Sequence, residues 1–299
     1  MYKQLAIFLM TIGFALNPLA HGDEKIRVVI IDGQNNHNWR ATTPHLRKVL
    51  ESSGRFTVEV STNLRPGDKQ VEGKDTGPFP PDLTKYDVVL SNYNGGAWPA
   101  DFQKSLEDRL RAGKIHLVIV HAANNSFEGW TEYNRMIGMG WRGNGFGDRL
   151  TLDADGKETR IAKGKGPGAG HGAMHPFLVT IRDSEHPVVK GMPREWLHFR
   201  DELYHGMRGP AENVHLIATS YADKKFSGTG EHEPMIWTVD YGKGRVFHTP
   251  MGHDLEAMQC IGFIATLQRG TEWAATGKVT LELPKDFPTE TKTRVLTGK

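Results

Sequence analysis

A chain of 299 residues with a formal net charge of +2 at pH 7 is long enough to bury one large α/β core and is close to electrically neutral. Its basic residues are scattered rather than gathered into a patch, which excludes an obvious nucleic-acid footprint and favours a small or neutral ligand. The lone cysteine, Cys260, rules out an intramolecular disulfide and reads, within an apolar helical pattern, as a small buried hydrophobe.

The N-terminus carries Lys3, an apolar run from Leu5 to Leu16 and then Asn17-Pro18-Leu19-Ala20, the pattern of a secretory signal cleaved near Ala20. Residues 1–22 are therefore assigned to a signal peptide, 23–278 to one α/β domain and 279–299 to a polar tail expected to fray. The apolar run is shorter than the roughly 20 residues a membrane span needs, so no integral membrane anchor is expected after cleavage. Export without disulfides fits a Gram-negative periplasm, and a periplasmic or secreted location is the expectation.

Ile26 to Ile31 reads as a first buried strand with a polar loop, Asp32 to Asn38, at its carboxyl end. A helix follows, with Pro44 suited to a first turn and Leu46, Val49 and Leu50 on one face. Phe56 to Val60 is a second strand, Arg65 to Pro81 a long Pro- and Gly-rich connection, and Tyr86 to Leu90 a third strand. Pro99 to Ala112 places Phe102, Leu106 and Leu110 on one helical face, and Ile115 to Val120 is a fourth strand ending at His121. This alternation predicts a doubly wound, mostly parallel sheet. The Gly-rich stretch from Trp141 to His175 reads as an inserted hairpin and loop that could form a lid. Further strands are expected at Phe177 to Ile181 and Val214 to Ser220, then a hairpin of Pro234 to Val239 with Arg245 to His248. A last helix carries Met258, Ile261 and Ala265 on its apolar face and ends at Trp273-Ala274-Ala275.

Polar side chains fall where open α/β sheets place their sites, just past strand ends. They are Asp32 with His37, Asn38 and Trp39; Tyr93 with Asn94; His121 with Asn124; Asp201, Glu202, Tyr204 and His205; and His253 with Asp254. Histidines can act as general base and general acid, Glu202 or Asp201 can orient an imidazole or serve as base, and Tyr204 can donate to a developing oxyanion. The same imidazoles and carboxylates also suit a divalent metal, zinc or similar, for which His121, His253 and Glu202 are the candidate ligands. His171 and His175 stand four apart, but in a Gly-rich stretch where a helix is not expected. Trp39 and Trp130 could stack on a sugar ring. Asp153-Ala154-Asp155-Gly156 resembles the start of a calcium loop, yet lacks the later glutamate and reads as a tight turn.

The ordered set of motifs resembles the ThuA-like family, named for a trehalose-utilisation protein, over nearly all of the mature chain. The residues that carry it are His37-Asn38-Trp39, Tyr86-Asp87-Val88-Val89, Val118-Ile119-Val120-His121 and His186-Pro187-Val188-Val189-Lys190-Gly191-Met192-Pro193. They continue with Asp201-Glu202-Leu203-Tyr204, Gly242-Lys243-Gly244-Arg245-Val246-Phe247, Gly252-His253-Asp254 and Trp273-Ala274-Ala275. The resemblance implies a class I glutamine-amidotransferase-like, flavodoxin-like fold. It does not carry over the amidotransferase cysteine nucleophile, because His121-Ala122 stands at the comparable turn and Cys260 is far away in sequence. The family's setting in sugar catabolism implies action on disaccharides, glycosides or their 3-keto derivatives, with no nucleotide cofactor. On that basis His121 and His253 are the expected acid–base pair, assisted by Glu202 and Tyr204. Asp32, His37, Asn38, Trp39, Asn94, Asn124, Asp201 and Asp254 complete the expected sugar site. A carbohydrate-binding protein of the same fold without turnover is the alternative.

Overall fold

A computed structural model describes residues 24–69, 76–153 and 156–296. The signal segment and its Ala20 cleavage site lie outside the described residues, as do Ala154 and Asp155 of the expected turn. Asp153 still closes a turn there, its carboxylate accepting from the Lys157 backbone N–H.

The first half comprises β1 Ile26–Asp32, α1 Trp39–Ser52, β2 Phe56–Thr62, β3 Thr76–Gly77, β4 Val88–Ser91, α2 Ala100–Arg111, β5 His116–Val120 and α3 Thr131–Ile137. The alternation is the expected one, except that β3 lies in the stretch read as a connection and α3 falls where no helix is expected. The insertion contributes β6 Arg149–Leu152, β7 Glu158–Ile161 and β8 Gly170–His171. The rest comprises β9 His175–Ile181, β10 Glu195–Asp201, β11 Tyr204–His205, β12 Val214–Tyr221, β13 His232–Tyr241, β14 Gly244–Thr249, α4 Leu255–Met258 and α5 Ile261–Thr276.

The main sheet runs in the order β10-β9-β12-β13-β14-β5-β4-β1-β2-β3, and β8 pairs separately with β11. The strands from β14 through β3 are parallel to one another, whereas β13, β12, β9 and β10 extend the sheet antiparallel. The result is a flavodoxin-like, doubly wound parallel core with an antiparallel wing. Four successive reversals give β10 the same direction as β14. The carboxyl ends of β1, β4, β5, β14 and β10 therefore share one edge.

Strands buried on both faces need apolar residues at every position, and successive side chains feed opposite layers. Val28, Ile30, Val88, Leu90, Val118 and Val120 pack with Leu46, Val49 and Leu50 of α1 and with Phe263, Ile264 and Leu267 of α5. Val29, Ile31, Val89, Leu117 and Ile119 face Phe102, Leu106 and Leu110 of α2 and Met136 and Ile137 of α3. The β13–β14 hairpin turns at Gly242, which has a φ of 63° and where a Cβ would meet the Arg111 carbonyl oxygen at 2.6 Å, so only glycine fits.

Local competition moves several boundaries away from those expected. Asn38 caps α1, so the helix begins at Trp39 and Pro44 lies inside it, its lost bond and ring contact falling on Arg40 in the first turn. Asp82 caps a short 3₁₀ turn over Leu83–Lys85, and the strand expected from Tyr86 starts at Val88 instead. Met258 belongs to the separate short α4, because the chain breaks at Gln259 and Cys260 before α5. Through residue 296 the tail packs on the fold instead of fraying. Val279, Leu281 and Phe287 pack on the core, Leu197 N–H donates to Thr289 O at 2.8 Å, and Ile261 N–H to Arg294 O at 2.8 Å. An expected polar terminus is thus a strap across β10 and the α4–α5 junction. Among the described residues no helix is long and apolar enough to cross a membrane.

Candidate active site

The shared edge gathers one histidine from each of three loops. His37 follows β1, His121 follows β5 and His253 follows β14, and their ring centroids lie 4.7 to 5.4 Å apart. His121 and His253 are therefore neighbours, as the expected acid–base pairing requires. Glu202, just past β10, completes the group: one donor atom from each of His37, His121, His253 and Glu202 lies within 4.8 Å of the others.

Each ring is aimed by its own loop. His121 opens the turn after β5 with φ 44°, a sparsely populated conformation for a residue with a Cβ. Its Nδ1 sits 2.7 Å from the Pro250 carbonyl, which can only accept, so Nδ1 carries the proton and Nε2 faces the pocket. There Nε2 accepts from the Tyr204 hydroxyl at 3.1 Å and lies 3.7 Å from Glu202 Oε2. His37 is fixed the same way: Asn35 Oδ1 accepts from both its backbone N–H, at 2.9 Å, and its Nδ1, at 3.2 Å. His253 Nδ1 lies 3.0 Å from Glu202 Oε2, close but out of hydrogen-bond alignment, so this buried nitrogen has no aligned partner.

Asp201 organises the carboxylate side of the pocket. Its completely buried carboxylate accepts from the backbone N–H groups of Glu202 at 2.7 Å, Gly252 at 2.7 Å and His253 at 3.0 Å. His198 Nε2 meets it at 2.8 Å. The strand register shifts between His198 and Asp201, and such irregularities re-aim a strand end. Asp201 is thus a positioning residue, buried behind the pocket rather than lining it. His198 gave no signal from loop placement; its only trace was its position three residues before Asp201 at a strand end.

Burial sets the electrostatics. It pushes the His37 imidazole down to about 4, helped by the neighbouring His121 and His253 rings, and it lowers His121. The Glu202 carboxylate beside it raises His253. Burial alone would raise the Glu202 carboxyl, but His253 and then His121 and His171 hold it below its ordinary value. Burial raises the Tyr204 hydroxyl, which stays protonated and able to donate. Burial would discharge His198, yet Cys260 and Asp201 hold it above its usual value.

The remaining expected residues divide. Asn94 bonds Asn36 and so stitches the loops after β4 and β1 together. Asp32 is buried and accepts from the Thr62 hydroxyl at 2.7 Å. Asn38 and Asp254 cap α1 and α4 through their side chains. Asn124 is fully buried, its Nδ2 at 3.2 Å from His248 Nε2 and its Oδ1 without a partner. Trp39 is 5 % exposed and Trp130 is 9 % exposed with its indole N–H on Glu107, so neither presents a face to a sugar. The aromatic at the rim is instead the half-exposed Trp141, 4.6 Å from Tyr204 and 5.8 Å from His171 between ring centroids. His171, from the insertion, places Nε2 3.4 Å from Glu202 Oε1, whereas His175 stacks on Phe226. The insertion therefore contributes to the pocket wall.

The pocket can do two kinds of chemistry: proton transfer among imidazole, carboxylate and phenol, or coordination of a cation by three nitrogens and one oxygen.

The family model for trehalose utilisation, ThuA, matches residues 27–274. A ThuA-like protein from Parabacteroides merdae is 42 % identical in sequence, superposes with a TM-score of 0.82, and the match covers 91 % of this chain and 98 % of that one. A second ThuA-like protein, from Bacteroides uniformis, is 16 % identical with a TM-score of 0.55, over 92 % of this chain and 100 % of that one, and shows the fold alone. No curated protein matches the chain.

Proposed function

The chain belongs to the ThuA family, and on that premise we propose that it is an exported enzyme of carbohydrate breakdown, acting on disaccharides, glycosides or their 3-keto derivatives by lyase or hydrolase chemistry. The observation that carries the reading is the convergence of His37, His121, His253, Glu202 and Tyr204 at one sheet edge. A mere binding pocket gains little from desolvating so many titratable groups, whereas a catalyst uses them.

A ketone at C3 of a sugar acidifies the neighbouring C2–H. An ionised Glu202 is suited to take that proton, the electrons move to expel the C1 oxygen, and a protonated group beside it returns a proton to the leaving alcohol. Tyr204, with its retained proton, and His253, with its raised affinity for one, are suited to that donor role. Export is supported by Lys3, the Leu5 to Leu16 run and Asn17-Pro18-Leu19-Ala20.

The test is an assay of the mature protein on 3-keto and unmodified disaccharides, wild type against Glu202→Gln. We expect turnover that falls by at least about 100-fold in the variant, in the range general acid–base groups contribute. Sugar binding without turnover in the wild type would make the protein a carbohydrate binder instead.

A further inference from the structure

We infer that His37, His121, His253 and Glu202 are the ligands of one divalent transition cation, zinc foremost. The inference rests on the proposed function in concerning the same pocket, but it reassigns Glu202 and His253 from proton transfer to ligation, and it stands on the donor geometry and needs no sugar.

Four features of the pocket point the same way. The donor set, three imidazole nitrogens and a carboxylate oxygen, is of the type that zinc sites use. The donors also come from four separate loops, after β1, β5, β14 and β10, so they surround a point instead of lining a helix face. Two of the imidazoles are oriented as metal-bound histidines are, with the ring nitrogen away from the pocket donating to a fixed oxygen. Those oxygens are Pro250 O for His121 and Asn35 Oδ1 for His37, and each leaves Nε2 unprotonated; that of His121 accepts from the Tyr204 hydroxyl, a bond that a cation would replace. Finally, His253 Nδ1 is buried 3.0 Å from Glu202 Oε2, an ion-pair contact out of line for a good hydrogen bond, so a cation between the two atoms could take both as ligands.

Glu202 fits a ligand's role equally well. Its Oε2 faces His121 and His253, while Oε1 is backed by His171 at 3.4 Å. Donors about 2.0–2.2 Å from a zinc ion lie roughly 3.3–3.6 Å apart, so small rotations of the rings close the set from its present spacing. A cation held there would polarise a sugar carbonyl or a bound water, the demand made by loss of a proton beside a ketone. His121, His253 and Glu202 then serve as ligands, and proton transfer passes to Tyr204 and His171, which touch the set from outside.

The experiment is metal titration of tag-free mature protein after chelator stripping, followed by equilibrium dialysis with elemental analysis and by the visible spectrum of the cobalt form. We expect one ion per chain and a four-coordinate cobalt spectrum. His37→Ala, His253→Ala and Glu202→Gln should each weaken zinc by more than 100-fold, beyond the 10–100-fold typical of an outer partner such as Asn35→Ala. His215→Ala, an exposed histidine paired with Asp183, should leave affinity unchanged. Should a ligand variant fail to fold, the cobalt spectrum of the wild type decides alone. Absence of a stoichiometric ion, or affinity indifferent to these substitutions, overturns the site. Full turnover by stripped protein would sink the metal while sparing the proposed function, and tight metal with no turnover on any sugar would do the reverse.

Discussion

Asp201 shows how one buried carboxylate can govern a site it does not enter. It fixes the backbone of Glu202 and His253 together, and charge-assisted bonds of this kind contribute about 1.5–3 kcal/mol each. Asp201→Asn keeps the shape but removes the charge and turns one acceptor into a donor facing backbone N–H groups or His198. Activity should fall by about 10–100-fold, as for outer partners elsewhere, and the melting temperature should drop with it. Kinetics and thermal unfolding on the same preparation check this, and unchanged kcat/KM would remove Asp201 from the positioning role. His121 offers a second measurement, because its φ of 44° suits glycine better than any residue with a Cβ. His121→Gly and His121→Ala lose the same imidazole, so their difference isolates the backbone. The glycine variant should be the more stable by about 1 kcal/mol in denaturant unfolding, the opposite of the order inside a helix or strand. These contacts were only partly legible in the sequence. Strand-end placement found His37, His121, Glu202, Tyr204 and His253. It assigned Asn38, Trp39 and Asp254 to the pocket because a polar or aromatic residue after a strand reads alike whether it caps a helix, packs under it or faces a ligand. Trp141 and His171 were hidden in a Gly-rich insertion whose path no local pattern fixes.

Among the elements, α5 is tied to the C-terminal strap by Ile261, by Arg269 and, most densely, by one carboxylate. Glu272 is buried and accepts from Thr280 N–H at 2.8 Å, Thr280 Oγ1 at 2.6 Å, Leu281 N–H at 3.1 Å and Arg55 Nε at 3.1 Å. Burial would raise its carboxyl, but these donors from Thr280, Leu281 and Arg55 together hold it below the ordinary value. A depressed folded-state affinity for protons stabilises the fold above the unfolded carboxyl pKa, about 4.3, and that contribution disappears as pH falls through the folded value. Glu272→Gln should therefore cost about 1–3 kcal/mol near neutrality, with the gap between variant and wild type closing below about pH 4. Thermal unfolding across pH 3 to 8 checks it, and a gap constant with pH would mean that the charge is irrelevant. α1, α2, α5 and the central strands were readable because their periodicity is unambiguous, whereas the short α3 and α4 were not. The strap after α5 was not, because Val279, Leu281 and Phe287 are too sparse to make a period and find their partners only in tertiary structure.

At the scale of the molecule, the parallel half followed from the alternation of strand and helix, whereas of the antiparallel wing β13 could be read as one arm of the hairpin with β14, β9 and β12 only as separate strands, and β10 not at all. Their pairing, and the four reversals that return β10 to the direction of β14, bring Glu202 beside His253 although 50 residues separate the two positions. That long-range closure belongs to topology and has no local signature. The strap adds a mechanical link. It lies against β10 and the α4–α5 junction, the floor from which Glu202 and His253 rise. Two of the four pocket donors therefore lean on a segment that touches no ligand, and the shape of the pocket is held partly from behind.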